Sequence, residues 1–388
     1  MTDIAVIGVG NRARKYLSCL PEGVHVACLV EPDPLRLAQT ARRFGVPPES
    51  CFTGADAFFA ASPAVDAVIV AAPDRLHVPM SLRAVEHGWH VLLEKPVASC
   101  EKDYLALMKA SEAAGVHVGV CLEMRFHPYF RRIKEIYDSG LLGKVLGIDH
   151  TEHIGPDRMA HTFVRGLWSR TEDAGPIFLS KCCHDADFIL WLTGCEPLEV
   201  HSSGSLGKFR PDPSAPAFCI DCTRTGCPYS AVSLYRERGE WTDGFDVPDG
   251  STLAQVIDAE LHGGRYGRCV YRCDNNVFDT QDVSVQLSGG ISLDMHLDGT
   301  SLLEGRTTII RGTAGTLVAD GGVITVSPAA GSGAPSVEDF SHLAGLPLHA
   351  GADAALVEDF FASLAAGRAP SASLESAYQA HRLCWLAG

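Results

Sequence analysis

The length, composition and charge of the chain narrow its class. It has 388 residues, of which 46% are hydrophobic and 20% are charged, and its formal net charge is −15. This length suits two domains, and the composition is typical of a folded, soluble enzyme rather than of a disordered chain. The negative charge argues against nucleic acid as a partner, because binding to a phosphate backbone needs a basic surface.

The sequence also carries signals about its surroundings. No stretch approaches the roughly 20 apolar residues of a membrane span. The N-terminal residues 1–3 lead directly into an apolar run, without a basic, cleavable leader. We therefore expect a cytoplasmic protein with no membrane partner. Its 14 cysteines should be mostly reduced there, so that a cluster of them indicates metal binding or catalysis before disulfides.

In residues 1–123, short apolar runs alternate with amphipathic, helix-like stretches. The apolar runs are 4–7, 24–30, 65–72, 89–93 and 116–122. The helix-like stretches are 34–44, 79–87 and 102–114. Fully apolar runs that alternate with helices predict an α/β fold, in which a parallel sheet is covered on both faces.

Residues 124–388 predict a second α/β domain of a different style. Residues of alternating polarity predict strands over 145–153, 198–203, 267–273, 282–287, 291–297, 306–311 and 322–326. Such alternation indicates an open, mainly antiparallel sheet with one exposed face, which is the kind of face on which a homo-oligomer (dimer or tetramer) forms. Helices are predicted over 177–192, 352–366 and 374–387, so the chain ends in helices over 352–387. The Pro-, Cys- and Gly-rich stretch 204–248 is predicted to be an irregular excursion.

A glycine motif, Gly8-x-Gly10-x-x-Ala13, lies between the first predicted strand and a helix. Glycines there allow a tight turn and let backbone N–H groups of residues such as Asn11 approach a pyrophosphate. Glu31 ends the second strand, about twenty residues past the glycines, where an acidic group binds ribose hydroxyls and repels a 2′-phosphate. The motif therefore predicts NAD as the cofactor. NADP is the less favoured alternative, since Arg12 or Arg36 could hold that phosphate.

The apolar run 91–93 is followed at once by Glu94, Lys95 and Pro96. Ligands of open α/β sheets bind at the carboxyl ends of strands, so the Lys95 ammonium is expected near the reactive ring of a nicotinamide. Glu123, at the end of the last strand of this half, is expected on the nicotinamide side of the cofactor.

Five motifs in this chain resemble, in order and in sequence, those of the Gfo/Idh/MocA family of sugar and cyclitol dehydrogenases. They are Gly8-Val9-Gly10-Asn11-Arg12-Ala13, Ala72-Pro73-Asp74-Arg75-Leu76-His77, Glu94-Lys95-Pro96, Arg125-Phe126-x-Pro128 and His184-Asp185-x-Asp187. The resemblance covers essentially the whole chain. It implies a Rossmann domain over 1–123, a substrate-binding and oligomerisation domain over 124–388, and NAD(P)-linked oxidation or reduction of a secondary ring hydroxyl. It also implies that Pro73 and His77 belong to the cofactor site, and that Lys95 and His184 face the substrate.

The helix predicted around His184 carries two more charged candidates. Lys181 lies one turn before His184 and Asp187 one turn after it, so the three share a face. Oxidation of an alcohol needs a base and a positive group beside the developing alkoxide. We expect His184 to take the proton, Asp187 to orient its imidazole, and Lys181 and Lys95 to act on substrate oxygens. Ser180 departs from the resemblance, because many members have an aspartate four residues before the histidine.

Further substrate contacts are expected from Glu152 and from the segment 160–168. That segment mixes the hydrogen-bonding groups of His161 and Arg165 with the aromatic Trp168, as a polyol pocket requires, and it is predicted to be a loop.

The cysteines predict a second site, which is structural. Cys219, Cys222 and Cys227 lie close together in the excursion, and Cys273 is the expected fourth ligand. Four thiolates in a tetrahedral array form a zinc site, which would stabilise a loop with little core. Free thiols are the alternative, followed by an iron–sulfur cluster.

Together these features predict an NAD-dependent oxidoreductase that oxidises a secondary ring hydroxyl of a sugar to a ketone. The substrate classes considered are an amino sugar or aminoglycoside, which the acidic charge favours, and a sugar nucleotide. Two alternatives stay open: a glycosidase that uses NAD for transient oxidation, and a cofactor-binding regulator without turnover.

Overall fold

The computed structural model describes all residues, 1–388, as two compact units. Unit 1 contains residues 1–134, 186–194 and 343–385, and unit 2 contains residues 135–185, 195–342 and 386–388. This division differs from the single boundary predicted after residue 123. The reason is packing: Leu356 and Phe360, near the C-terminus, lie in the same buried cluster as Ile4 and Val6 of the first strand.

Unit 1 is built on a six-stranded parallel sheet in the order β3-β2-β1-β4-β5-β6. Its strands are β1 (Thr2–Ile7), β2 (Val24–Val30), β3 (Cys51–Phe52), β4 (Ala67–Val70), β5 (His90–Leu93) and β6 (Val118–Val120). This is the strand order of a doubly wound, dinucleotide-binding sheet. The strands are almost wholly apolar and buried, which confirms the predicted parallel sheet.

Helices follow most of these strands. They are α1 (Asn11–Leu17), α2 (Pro34–Phe44), α3 (Ala55–Ala61), α4 (His77–Glu86), α5 (Glu101–Ala114) and α6 (Pro128–Asp138). Helix α2 begins where the side chain of Asp33 accepts the Arg36 amide and ends at Gly45, which has positive φ. The sequence predicted the same bounds, 34–44, for this helix.

Unit 2 is built on an eight-stranded mixed sheet in the order β14-β13-β12-β11-β7-β10-β9-β8. Its strands are β7 (Val145–His153), β8 (Pro197–Ser205), β9 (Thr280–Leu287), β10 (Ile291–Asp298), β11 (Gly305–Gly312), β12 (Gly315–Asp320), β13 (Val323–Pro328) and β14 (Ser336–Asp339). Only β10 and β7 pair in parallel, so the prediction of a mainly antiparallel sheet is confirmed.

The remaining helices are α7 (Pro156–Arg158), α8 (Thr171–Ala174), α9 (Ile177–Thr193), α10 (Leu253–Gly263), α11 (Pro347–Ala350), α12 (Ala352–Ala365) and α13 (Leu374–Ala387). Every helix in the chain falls short of the length and hydrophobicity that a transmembrane span requires.

Two local predictions are wrong. The strand expected over 267–273 is instead two 3-10 turns, Arg265–Gly267 and Val270–Arg272, because an alternating pattern alone does not supply a neighbouring strand. The segment expected as a loop over 160–168 instead begins as a π-helix, Met159–Arg165, whose apolar residues are buried.

The outward face of the unit 2 sheet is polar. On it, Arg311 Nη2 donates to Asp149 Oδ1 at 2.8 Å, and the Ser284 hydroxyl donates to Asp294 Oδ1 at 2.6 Å. The opposite face of β7 carries His150 and Glu152, which are buried. Across the antiparallel ladder with β11, His150 pairs with Thr308 and Glu152 pairs with Arg306. The register therefore brings four polar side chains together inside the unit.

Candidate active site

The glycine motif forms a tight turn between β1 and α1. Gly8 has a φ of +83°, and a Cβ on it would lie 2.7 Å from the Ala71 carbonyl oxygen, so no larger residue fits. A Cβ on Gly10 would meet nothing within 4 Å, so the backbone there borders open space. Asn11, the first residue of α1, is exposed beside it. The turn has the room and the exposed backbone that a pyrophosphate needs.

Glu31 reaches this turn from the end of β2. Its Oε2 accepts the backbone N–H of Val9 at 3.0 Å, and its Oε1 accepts that of Asp33 at 3.0 Å. Arg36 lies 3.4 Å from Oε1. The carboxylate is therefore fixed beside the glycine turn, as a ribose-binding acid must be.

Glu94 is buried and fixed at the start of the segment that carries Lys95. Its Oε1 accepts from Arg12 Nε at 3.0 Å and from the Tyr16 hydroxyl at 2.5 Å, and its Oε2 accepts the Lys95 amide at 3.0 Å. Burial raises the pKa of Glu94, but Arg12, Lys95 and the Tyr16 hydrogen bond outweigh it, so the pKa is lowered. Glu94 is thus a charged group that anchors the segment carrying Lys95.

Arg12 is also occupied within unit 1. Besides Glu94, its Nη2 donates to Asp353 of α12 at 2.8 Å and to the Tyr16 hydroxyl at 2.6 Å. The donors of Arg12 hold the end of β5 and helix α12, and its predicted place in the cofactor site stays a prediction. Glu123 begins a 3-10 helix, Glu123–Phe126, directly after β6.

The backbone after Lys95 is held by ring nitrogens. The Lys95–Pro96 peptide bond is cis. His77 is almost wholly buried, with Nδ1 2.7 Å from the Pro96 carbonyl oxygen and Nε2 2.9 Å from that of Ala72. His77 thus ties the turn after β4, which contains Pro73, to the lysine segment, and its predicted place in the cofactor site stays a prediction.

In unit 2, charged side chains of helix α9 meet those of β7 and β11. Lys181 Nζ donates to Glu152 Oε1 at 2.5 Å, and Arg306 Nε lies 2.9 Å from Glu152 Oε2 and 2.5 Å from Asp185 Oδ1. His150 Nε2 donates to the same Asp185 oxygen at 3.0 Å. Two cations and two carboxylates therefore form one continuous, mostly buried cluster.

The protonation state of Asp185 follows from these contacts. Burial raises its pKa, but the charge of Arg306, the hydrogen bond from His150 and the charge of Lys181 outweigh that effect. The pKa of Asp185 is therefore held well below its ordinary range, and the carboxylate stays charged. Glu152 is the partner of Lys181 and Arg306, and its predicted contact with substrate stays a prediction.

Asp187, two residues further along α9, has a different partner. Arg125 donates from Nε to its Oδ2 at 2.8 Å and from Nη2 to its Oδ1 at 2.5 Å. The Arg125 guanidinium donates to both oxygens, and the role predicted for Asp187 in orienting His184 stays a prediction. Burial raises the pKa of Asp187 more than Arg125 lowers it.

His184 lies one turn of α9 beyond Lys181 and is 8% exposed. The Ser180 hydroxyl, where the resemblance has an aspartate, donates to the Ile177 carbonyl of its own helix. Ser180 therefore supplies no charge, whereas Lys181 and Asp185 on either side of His184 do.

Two of the other predicted substrate residues have structural partners. Arg165 is 2% exposed, and its Nε and Nη2 donate to the carbonyl oxygens of Arg268 and Tyr229, each at 2.6 Å. Arg165 thus fastens the excursion to the π-helix, and its predicted contact with substrate stays a prediction. His161 bonds through Nδ1 to the Tyr235 hydroxyl at 2.8 Å. Burial and two nearby arginines lower the pKa of His161 to about 4. Trp168 is half-buried.

The predicted zinc ligands are not assembled into a site. The chain contains no group of three or more His, Cys, Asp or Glu side chains arranged to hold a metal ion. Instead, a hydrogen bond from Cys269 and the charge of Arg165 lower the pKa of Cys219 to about 6, against the effect of burial. Cys222 and Cys227 remain half-buried thiols, and Cys273 donates to the Cys269 carbonyl. The arrangement gives the zinc prediction no support.

Sequence reasoning missed several residues of these clusters, namely Tyr16, His150, Arg306, Asp353 and His381. A signal was available for His150, since it stands two residues before Glu152 on the same face of a predicted strand. Asp185 also stands one turn after Lys181. The partners from distant strands and helices carry no such local signal.

Comparison with known proteins agrees with this geometry. The sequence model of the oxidoreductase family with an NAD-binding Rossmann fold, GFO_IDH_MocA, matches residues 2–121, and that of the GFO/IDH/MocA C-terminal domain matches residues 130–318. Inositol 2-dehydrogenase 2 of Saccharopolyspora erythraea is 30% identical over 269 residues, which are 67% of this chain and 73% of that protein.

Two solved structures share the fold. An oxidoreductase from Agrobacterium radiobacter, in complex with NAD+, L-tartaric acid and magnesium, has a TM-score of 0.71 at 17% identity, covering 99% of this chain and 94% of that one. Levoglucosan dehydrogenase, in complex with NADH and levoglucosan, has a TM-score of 0.70 at 18% identity, with 99% and 95% covered.

The glycine turn, Glu31 and the strand order define a nicotinamide dinucleotide-binding oxidoreductase. The chain belongs to the Gfo/Idh/MocA family of oxidoreductases with an NAD-binding Rossmann fold, as its motifs predicted.

Proposed function

We propose that the protein uses NAD to oxidise a secondary ring hydroxyl of a sugar or cyclitol to a ketone, with Lys95 and His184 as its catalytic residues. One observation carries the proposal: Lys95 stands at the carboxyl end of β5, on the same edge of the parallel sheet as the glycine turn after β1. Glu94 and Arg12 tie these two strand ends together. A lysine whose backbone is held at the strand end nearest the glycine turn suits an alcohol oxidation.

The residues present fit the dinucleotide. The glycine turn leaves open space for the pyrophosphate, and Glu31 offers carboxylate oxygens to the ribose. When bound, the nicotinamide ring supplies the acceptor for the hydride that leaves the carbinol carbon.

The chain's own residues supply the rest of the chemistry. His184 accepts the hydroxyl proton, and the Lys95 ammonium stabilises the negative charge that grows on the same oxygen. Lys181, held by Glu152 at 2.5 Å, donates to a neighbouring hydroxyl of the ring and orients it.

We propose NAD rather than NADP because the Glu31 carboxylate repels a 2′-phosphate. The Glu31→Ala variant should therefore lower the ratio of kcat/KM with NAD to kcat/KM with NADP, by about tenfold or more, which is the effect of one removed charge repulsion. An unchanged ratio would show that Arg36, and not Glu31, decides the cofactor.

The test of the activity follows NADH absorbance for the purified protein across sugars, amino sugars, aminoglycosides, cyclitols and nucleotide sugars. The net charge of −15 favours the cationic members of this panel. Lys95→Ala and His184→Ala should each lose the activity while they keep NAD binding, measured by titration calorimetry. Release of a free aglycone with retained NAD would indicate the glycosidase alternative instead. Wild-type protein that binds NAD but turns over no member would indicate the regulator.

A further inference from the structure

We propose that His381, with Trp385 on the same helix, is a positioning residue that fixes the backbone carrying Lys95. The inference rests on the proposed function, in which Lys95 acts on the substrate oxygen. Both residues belong to helix α13, almost 290 positions further along the chain, and neither was expected to contribute to the site.

The segment after Lys95 makes two hydrogen bonds with side chains of this helix. The backbone N–H of Val97 donates to His381 Nε2 at 3.0 Å, and Trp385 Nε1 donates to the Ala98 carbonyl oxygen at 3.2 Å. On the other side, the Lys95 amide itself donates to Glu94 Oε2 at 3.0 Å. The backbone is thus fixed both at the lysine and immediately after it.

The tautomer of His381 is defined by its surroundings. Its Nδ1 donates to the Ala377 carbonyl oxygen at 2.9 Å, one turn earlier in α13, so Nε2 carries no proton and can accept. The side chain is 0% exposed, and its ring lies 5.0 Å from that of Tyr104. Burial lowers its pKa to about 4, helped by the charges of Lys95 and His77, so the acceptor persists at neutral pH.

A histidine in this apolar position is costly unless its polar atoms are used. A buried polar group without a partner destabilises the fold, whereas a leucine would simply fill the space. Both ring nitrogens are used here, and the one directed away from the helix meets an amide two residues past the lysine. The contact therefore constrains where the lysine side chain begins.

Two substitutions of His381 by amide side chains of different length distinguish a positioning role from a packing role. In His381→Gln, the longer side chain can present its oxygen where Nε2 stood and accept from Val97. In His381→Asn, the amide reproduces the Nδ1 contact to Ala377 but is too short to reach Val97. Trp385→Phe removes the second hydrogen bond and keeps the aromatic packing.

The first measurement is deuterium uptake by the peptide covering residues 94–98, followed by mass spectrometry of the full-length protein. His381→Asn should exchange faster in this peptide than wild type, and His381→Gln should resemble wild type. The second measurement is turnover. The kcat of the Asn variant should fall by roughly tenfold or more, because a small misplacement of a catalytic group slows the reaction strongly. NAD affinity should stay unchanged in both variants.

The outcomes separate this inference from the proposed function. If wild type turns over a polyol and the Asn variant matches it in kcat and in uptake, His381 is not a positioning residue. If Asn and Gln lose activity equally, its role is packing alone, which also overturns the inference. If uptake changes as expected but wild type turns over nothing, the proposed function is what fails. Should the Asn variant not fold, Trp385→Phe provides the same uptake and kcat comparison with a smaller expected loss.

Discussion

Each unit contains a buried cluster of charged side chains next to one of the two proposed catalytic residues. The clusters differ in whether that catalytic residue adds its own charge to the cluster. In unit 1, Arg12 stands between the carboxylates of Glu94 and Asp353, and Asp353 also lies 3.0 Å from His349. Lys95 adds the further positive charge that acts on Glu94. We call this the Glu94 cluster.

In unit 2, the buried cluster consists of paired charges and does not include His184, the residue proposed to accept the proton. This cluster, called the Asp185 cluster, consists of His150, Glu152, Lys181, Asp185 and Arg306. Its two cations alternate with its two carboxylates. The comparison suggests that a change at Asp185, which bonds to His150 and Arg306, acts mainly on stability, whereas a change at Glu94 acts mainly on the placement of Lys95.

The largest expected effect is that of Asp185→Asn. This change leaves Arg306 without its charge partner on α9, and a broken buried pair costs about 3–5 kcal/mol. We expect the free energy of unfolding, measured by urea titration at pH 7, to fall by that amount. Asp282→Asn is the matched control, since Asp282 pairs with His296 on the exposed face and should cost less than about 1 kcal/mol. Equal losses in the two variants would contradict the comparison.

The pH dependence of stability should distinguish the two regions. His381, beside the Lys95 segment, has its pKa lowered by burial to about 4, and Lys95 and His77 are the charged groups facing it. The unfolded chain therefore binds a proton before the folded one, and stability is lost as the pH falls from about 6.5 to about 4, by up to about 3 kcal/mol. Asp185, whose folded pKa is depressed, loses its contribution only at lower pH, below about 4.

Urea titrations at pH 7, 5 and 4 measure this difference. The His381→Gln variant has no imidazole to protonate, so its free energy of unfolding should fall less than that of wild type over this range. Parallel curves for the two proteins would show that other groups dominate.

Glu94→Gln should show the opposite balance to Asp185→Asn. The Gln side chain has the size of Glu and keeps one oxygen that can accept the backbone N–H of Lys95. The free energy of unfolding should therefore fall by only about 1–3 kcal/mol relative to wild type. The kcat should fall by about tenfold, because a neutral side chain binds Arg12 and the Tyr16 hydroxyl less tightly and lets the segment that carries Lys95 shift, while NAD affinity changes little. A variant with full kcat and a large loss of stability would reverse the comparison.

The smallest effect is expected from Arg311→Ala. Its pair with Asp149 lies on the polar outward face, where both groups are partly exposed, so the change should cost less than about 1 kcal/mol. Thermal melting at low and at high salt would measure it, and the loss should shrink further in salt. A loss above about 2 kcal/mol would show that this face is covered by something other than water.

Local sequence signals predicted the parts of the fold that depend on local patterns. The apolar strands of unit 1 follow from their short apolar runs, and helix α2 follows from hydrophobic periodicity and its capping residues. The glycine turn and Lys95 follow from strand ends, because open sheets bind ligands there. The strand expected over 267–273 failed, since strand formation needs a partner that the pattern does not name.

The site was harder to predict where partners come from distant segments. Asp187 shares a helix with His184, which suggested a pair, but Arg125 from 62 positions away takes both of its oxygens. Glu152 was assigned to substrate because the sequence does not show that Lys181 and Arg306 reach it. Helix spacing states which side chains share a face, and only the tertiary packing decides which of them are already occupied.

The return of residues 343–385 to unit 1 has a consequence for how the protein is made. During synthesis the first 134 residues leave the ribosome while Asp353, Phe360 and His381 are still untranslated, and these supply a charge partner, core packing and a backbone contact. The cofactor half therefore cannot reach its final packing until the last helices have emerged. A truncated protein that ends at residue 134 would have a parallel sheet with part of its apolar core exposed to water.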